Sequence, residues 1–531
     1  MRSQWMKQAR TSATLLIVAL LAACAPAVED TATDPGATAG RPATTPARAP
    51  TVASAPRDRL VVALPFEVPG FDPRQAYDGR ASGLVGVIVE PLVALQRDFS
   101  LQPRLATGWE VADEGRRLTL RLREGVTFHD GRPFTAEDVR YAIESGLASE
   151  ERNTVRRYLS EVTSVEVLDD ATVVLHAENP SGGLLLMLAS VPIMPAGSGE
   201  DFDTRPIGTG PFAFVRHDEG SSLLLERFDG YWGPAPSVPA VEFEVVPSSS
   251  DRAAALLSGN AHLSQSSFEA GDEQRLRAHW AVGVTRIEGT STQYLAFNVE
   301  RPPFDDPDVR RALNHLIPRE RIVRNVYGGR ALPAVTMLVP GMPWLDPDGP
   351  TFAYDVRRAR DLVEASGAEF DRTYRVLTND HPLRTAMTEA MIASFTQVGL
   401  RAEVEVVGFS SLNDRIHAGD FDLHLQGFIG GANAPHLLGH FAREFGLFNR
   451  GGFRDPELEA MLDEALTLDP TSPEAVELYR GVANRLVEAS ANAFVVHDVV
   501  VGAARNEVEG WWPHPLPALA YQDLHLVRVG R

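Results

Sequence analysis

Hydrophobic and polar positions divide the chain into stretches of different period. Residues Ala13 to Ala23 (ATLLIVALLAA) form an unbroken apolar run behind the positive residues Arg2, Lys7 and Arg10. That run is well short of the ~20 residues a helix needs to span a bilayer core, so it predicts an export signal rather than an anchor helix. Residues 25–56 are Ala, Thr, Pro and Gly with scarcely a bulky apolar side chain. Such a segment cannot bury enough surface to fold, and it predicts a tether with an r.m.s. reach of roughly 30 Å.

Beyond the tether the periods become those of a folded body. Leu60 to Leu64 is a short apolar run expected to form a buried strand. Leu118, Leu120 and Leu122 alternate with Thr119, Arg121 and Arg123, which predicts a strand with one buried face, and Asp130-Gly131 marks a turn. Thr135 followed by Glu137 and Asp138 predicts a helix start, with an N-cap and acid in the first turn. Gly208-Thr209-Gly210-Pro211 lacks the lysine of a phosphate loop and leads into Phe212-Ala213-Phe214-Val215, so it reads as a turn before a strand.

Helical patterns lengthen after Asp305, over Val309 to Val326, Val356 to Ser366 and Thr385 to Val398, with the β-rich runs Tyr374 to Leu377 and Ala402 to Val407 between them. This half alternates α and β. Two further apolar runs, Phe494 to Val496 and Val499 to Val501, come late in the chain.

Composition narrows the function more than the fold. At 531 residues, with 44% hydrophobic and 23% charged positions, the chain is long enough for several domains and has the balance of a globular protein. The formal charge is −21, or about −24 once the three positive charges of the leader are removed. That opposes binding to nucleic acid, which needs a basic face. The only lysine is Lys7 and the only cysteine is Cys24. Phosphate-loop NTPase, Schiff-base, thiol and disulfide chemistry are thereby excluded from the body.

Leu21-Ala22-Ala23-Cys24 resembles the bacterial lipoprotein box, in which the cysteine becomes the acylated first residue of the mature chain. The division expected is a signal peptide at 1–23 and a tether at 24–56.

From there the succession Phe71-Asp72-Pro73, Glu90-Pro91-Leu92-Val93, Pro103 to Val111, Leu118 to Gly131, Phe134 to Val139, Gly208 to Phe212, Tyr231-Trp232-Gly233, Leu295 to Asn298, Pro303 to Asn314 and Gly399-Leu400 resembles the extracytoplasmic solute-binding proteins of family 5, the peptide, oligopeptide and nickel group of ABC importers. The resemblance implies an α/β clamshell of two lobes with an inserted subdomain: lobe I at 57–98, 206–300 and 498–531, the subdomain at 99–205, and lobe III at 301–497. The late apolar runs would return the chain to the first lobe. The implied function is a monomeric binding protein without cofactor or catalysis. Held outside the cytoplasm by its lipid anchor, it would pass a peptide or similar small solute to ABC permease subunits. A binder of oligosaccharide or another neutral solute is the alternative on the same fold. An exported hydrolase is the remote one, with no GxSxG, HExxH or paired-carboxylate motif to support it.

Family analogy also implies a ligand wall near Gly427 to His436, where small residues let backbone approach a solute and Phe428 and His436 offer flat surfaces. The candidate contacts are Phe428, Gly431, Asn433 and His436, with Asn379 and Asp380 from the loop Thr378 to Pro382. Peptide-binding members carry aspartates in the first loop, where this chain has Gly431 and Ala434. Dipeptide binders place an arginine in the second, which here is neutral or acidic. On the loops alone, the counter-charges for a zwitterion are missing. His436 and His440 have the spacing of a helical metal pair but no HExxH context, so no metal is expected. His129-Asp130 and His497-Asp498 read as turn and edge residues.

Overall fold

The computed structural model describes residues 58–530 apart from 69, 76–78, 150–152, 430–433 and 445. The leader, the tether, Cys24, Gly431 and Asn433 lie outside the described residues.

One mixed sheet organises the body. The apolar run at the start is a strand, β1 (Leu60–Leu64), with every residue buried. It is followed by a helix, α1 (Gly79–Ile88). An antiparallel four-stranded sheet comes next, built from β2 (Ala106–Ala112), β3 (Arg117–Leu122), β4 (Val162–Asp169) and β5 (Thr172–Ala177) in the order β2-β3-β5-β4. In β3 the leucines are buried and Arg121 is exposed, as the alternation predicts. Between β3 and β4 lies α2 (Ala136–Ala148), capped by Thr135. Its N3 residue Asp138 accepts from the Thr135 N–H at 2.8 Å and from the Ala196 N–H at 2.7 Å, so one buried carboxylate caps the helix and pins a loop.

The chain then returns to the large sheet through β6 (Phe212–Asp218), β7 (Ser222–Arg227), β8 (Ala240–Val245) and β9 (Leu263–Gln265). The next strand, β10 (Val282–Phe297), is 16 residues long. Helices α3 (Pro307–His315) and α4 (Arg319–Asn325) follow, then a short strand, β11 (Ala331–Pro333). The alternating half comprises α5 (Val356–Ser366), β12 (Thr373–Asn379), α6 (Pro382–Phe395), β13 (Arg401–Val407) and β14 (Leu423–Ile429). Helix α7 (Ala434–Ala442) and the 14-residue strand β15 (Asn492–Arg505) complete the frame.

The sheet runs β13-β12-β14-β10-β15-β9-β1-β8-β7-β6, with β11 beside β15. Strands β10 and β15 pair antiparallel from Val282↔Arg505 to Ala296↔Asn492. One end of this ribbon carries β14 and the parallel strands beyond it; the other carries β9 and β1. Two long strands therefore run through both halves of the sheet.

Two expectations are corrected. The helical pattern Val309 to Val326 is two helices, because Pro318 has no N–H to donate and disfavours helical backbone at Ile317. The junction is held by Arg319, which is fully buried and donates to the carbonyls of Ala334 (2.7 Å), Phe494 (2.8 Å), Phe352 (3.1 Å) and Asn314 (3.2 Å). The late apolar runs are likewise one strand, with Asp498 inside it.

Motif residues far apart in sequence meet at a buried carboxylate. Glu90, 2% exposed, accepts from Trp232 Nε1 (2.7 Å), Tyr231 OH (3.0 Å) and Thr209 Oγ1 (3.0 Å), with Arg104 at 3.4 Å. Burial pushes its carboxyl up, and Arg104 and the three donors oppose that. Gly208 is obligatory beside it, since a Cβ there would lie 1.9 Å from the Ile88 carbonyl. His129 bridges the same turn: its Nδ1 accepts from the Gly208 N–H (3.3 Å) and its Nε2 is 3.0 Å from the Gly210 carbonyl. These family motifs are scaffold.

Candidate ligand site

The ribbon of β10 and β15 is irregular at its middle. Glu288 pairs with Val499 and Thr292 with His497, so Gly289, Thr290 and Ser291 on β10 face Asp498 alone on β15. A bulge of this kind bends its strand and re-aims side chains. Gly289 sits where a Cβ would be 3.0 Å from the Asp498 carbonyl. On its other side Asp498 is in register with Ala331 of β11.

Close to this point α6 begins, and Arg384 is in its first turn. Its Nη1 donates to Asn379 Oδ1 at 2.7 Å and its Nε to Gln293 Oε1 at 2.9 Å, so it ties α6 to β12 and β10. The Gln293 amide lies over Gly427, where an added Cβ would be 2.4 Å from it. Glycine at 427 is what lets the amide lie there. Arg384 makes no ion pair, and burial lowers its pKa, while Tyr327, Asp498 and Tyr294 act in the opposite sense.

Asp498 makes neither a hydrogen bond nor an ion pair through its carboxylate, and burial raises its pKa from the ordinary 3.8 to about 6 even though Arg384 opposes the rise. Tyr327 is pushed up by burial and by Asp498, so its phenol is neutral. His497, the neighbour on the opposite face, shares a 2.9 Å hydrogen bond with Thr292 Oγ1 and is kept neutral by burial, which lowers its pKa to about 4. One face of the ribbon thus carries the anion Asp498, with the cation Arg384 reaching it from α6 and neutral groups around them.

The residues picked from sequence divide. Asn379 belongs to this constellation through Arg384, and Asp380 beside it is exposed. Phe428 is 6% exposed and packs with Phe448 (5.1 Å between centroids), Phe441 (5.4 Å) and Tyr294 (5.9 Å), inside an aromatic core rather than as an open wall. His436 and His440 lie with Nε2 atoms 2.8 Å apart; burial lowers both pKa values, His440 to about 4. No third metal-donor side chain joins them among the described residues. Of the tryptophans, Trp344 is buried and donates to the Pro470 carbonyl at 3.0 Å, while Trp280 is 84% exposed.

Arg384, Gln293 and Tyr327 escaped the sequence reading, and His497-Asp498, read as an edge pair, lies inside β15 with β10 on one side and β11 on the other. Two signals were present. Arg384 is a cation in the first turn of a helix, where the dipole disfavours it, and Asp498 is a charge inside an otherwise apolar strand.

Comparison with known proteins agrees with the frame. The dipeptide-binding protein of Escherichia coli K12 is 26% identical over 503 residues, spanning 86% of this chain and 92% of that one. The glutathione-binding protein GsiB of the same strain is 26% identical over 502 residues, spanning 88% and 94%. The structure of HbpA2 from Haemophilus parasuis superposes with a TM-score of 0.82 at 20% identity, covering 89% of this chain and all of that one. The fold is accordingly the two-lobed α/β clamshell of periplasmic binding proteins. The family model "Bacterial extracellular solute-binding proteins, family 5 Middle" matches residues 100–442, more than half of the chain, and the chain belongs to that family of extracytoplasmic ABC-importer binding proteins.

Proposed function

We propose that the protein captures peptide-like solutes between its two lobes and hands them to an ABC permease, while an acylated Cys24 and the 24–56 tether hold it at the membrane face. The lobes would be 57–98, 206–300 and 498–531 on one side and 301–497 on the other, with 99–205 inserted. The observation that carries the reading is the Arg384–Asp498 arrangement: a cation of α6 and an anion of the ribbon near one another, each without an ion-pair partner. The names of the relatives, a dipeptide and a glutathione binder, point to the same class of amphoteric solute. A neutral sugar would leave both charges uncompensated, which disfavours that alternative. Binding needs no bond chemistry, because closure alone brings both lobes onto the solute.

Native mass spectrometry of protein purified from its own host tests this. A co-purified peptide released on denaturation is expected, and a co-purified neutral oligosaccharide would overturn the reading. Membrane fractionation tests the anchor separately: Cys24→Ser should move the protein to the soluble fraction, and a wild type already soluble with an unmodified thiol would contradict it.

A further inference from the structure

We propose that Asp498 on β15 is the counter-charge for the ligand's cationic group, taking over from the strand ribbon the task that the loop from Gly427 to His436 has no acid to perform. This deepens the peptide reading and rests on it.

The argument is first one of position. Asp498 is the single β15 residue opposite the three-residue bulge Gly289-Thr290-Ser291, so it sits where the ribbon passes from one half of the sheet to the other. It shares a face with Val496, whose partner across the ribbon is Gln293, and Gln293 is held by Arg384. A solute held against this face would meet Asp498 and the Arg384–Gln293 pair together.

The second argument is one of unmet valence. Asp498 is half-buried, and a carboxylate drawn partly out of water in the middle of a sheet is ordinarily paired or hydrogen-bonded. Asp498 is neither, although Arg384 is near enough to lower its pKa. The two form no ion pair; Arg384 instead donates through Nε to Gln293 and through Nη1 to Asn379. An acid and a base therefore stand near one another with a gap between them. A ligand with an ammonium at Asp498 and a carboxylate at Arg384 closes that gap.

The third is the charge inventory. From α6 the facing charge is Arg384; from the segment after α4 it is the neutral phenol of Tyr327; on β15 itself His497 is neutral and turned to Thr292. Asp380, a candidate contact from the loop Thr378 to Pro382, is exposed. Asp498 is the half-buried, unpaired anion of this face. On this assignment a free N-terminus strengthens binding, whereas a site relying on the acid-free loop from Gly427 to His436 would be indifferent to it. Because the anion is required, preference for a cationic ligand should fade as pH falls through about 6.

The test uses an equimolar synthetic library of tri- to pentapeptides of Ala, Ser, Leu and Tyr, prepared with free and with acetylated N-termini and read as complex abundance by native mass spectrometry. Wild type should favour the free library by tenfold or more at pH 7.5. The preference should shrink to less than about threefold at pH 5 and in Asp498→Asn at pH 7.5, with an unchanged circular dichroism spectrum confirming the variant's fold. Should that variant not fold, the pH series on wild type decides alone. A wild type that retains acetylated and free peptides within threefold at pH 7.5, or an Asp498→Asn that keeps the tenfold preference, overturns the assignment while leaving the peptide reading intact. Retention of neither library by wild type overturns the peptide reading itself.

Discussion

Arg384 reaches from the first turn of α6 to donate a 2.9 Å hydrogen bond to the Gln293 side chain on β10, so a helix of the α/β-alternating half is tied to a strand that runs through both halves of the sheet. A ligand carboxylate arriving at this guanidinium would be felt along the ribbon, since hydrogen bonds join Arg384 to both Gln293 and Asn379.

Replacing Arg384 with Met removes that charge at little change in length. Two hydrogen bonds to a charged group are lost, so the ligand-free protein should weaken by about 1–3 kcal/mol. Peptide affinity should fall tenfold or more. Ligand stabilises by RT ln(1 + [L]/Kd), so the rise in Tm on adding a bound peptide should largely vanish. A variant with wild-type affinity by calorimetry would remove Arg384 from the site.

Asp498 should make the empty protein less stable than its fold allows. Its folded pKa, about 6, lies above the ordinary 3.8, so the folded state holds the proton more tightly. The associated stability is present below about pH 4 and is lost as pH rises to about 6, amounting to about 3 kcal/mol at neutrality. Asp498→Asn should therefore raise the ligand-free Tm at pH 7.5 and leave it little changed at pH 4.5, where wild type is itself mostly protonated. A variant less stable than wild type at pH 7.5 would contradict this.

Arg319 is the corresponding test of the frame. It is fully buried without a counter-ion and ties four backbone carbonyls from α3, β15 and two loops. Arg319→Met takes the donor from these buried carbonyls, of which that of Asn314 still accepts from the Ile317 N–H, a loss of about 3–5 kcal/mol. Lysine, with a compact ammonium in place of the planar fork, should recover less than half of it. Urea unfolding followed by fluorescence reads both; a loss below about 1 kcal/mol for the Met variant would show that water replaces the guanidinium.

What could be read from sequence follows from which residues carry local signals. Leu60–Leu64 and Val356–Ser366 fall where the apolar pattern puts them, because a short buried run and a 3.6-residue period are decided by neighbours in the chain. The break at Pro318 was written in the chain too, as a proline within a helical pattern. The candidate site was legible only in part. Asn379 was named for its loop, but its meaning comes from Arg384, five residues on. Gln293 lies within a 16-residue strand and nothing local distinguishes it; only the register that brings it over Gly427 does. Phe428 looked like an open surface because a single sequence does not reveal that Tyr294, Phe441 and Phe448 converge on it. Asp498 was visible as an oddity in an apolar run, and its role depends on a bulge in a partner strand some 200 positions earlier.

The central claim is capture by closure of two lobes about the β10–β15 ribbon. Small-angle X-ray scattering of the protein with and without a peptide whose binding has been confirmed by calorimetry tests it most directly. The account predicts a smaller radius of gyration at saturation, with the contraction reduced in Arg384→Met at the same peptide concentration. An unchanged radius at confirmed saturation would contradict the clamshell mechanism.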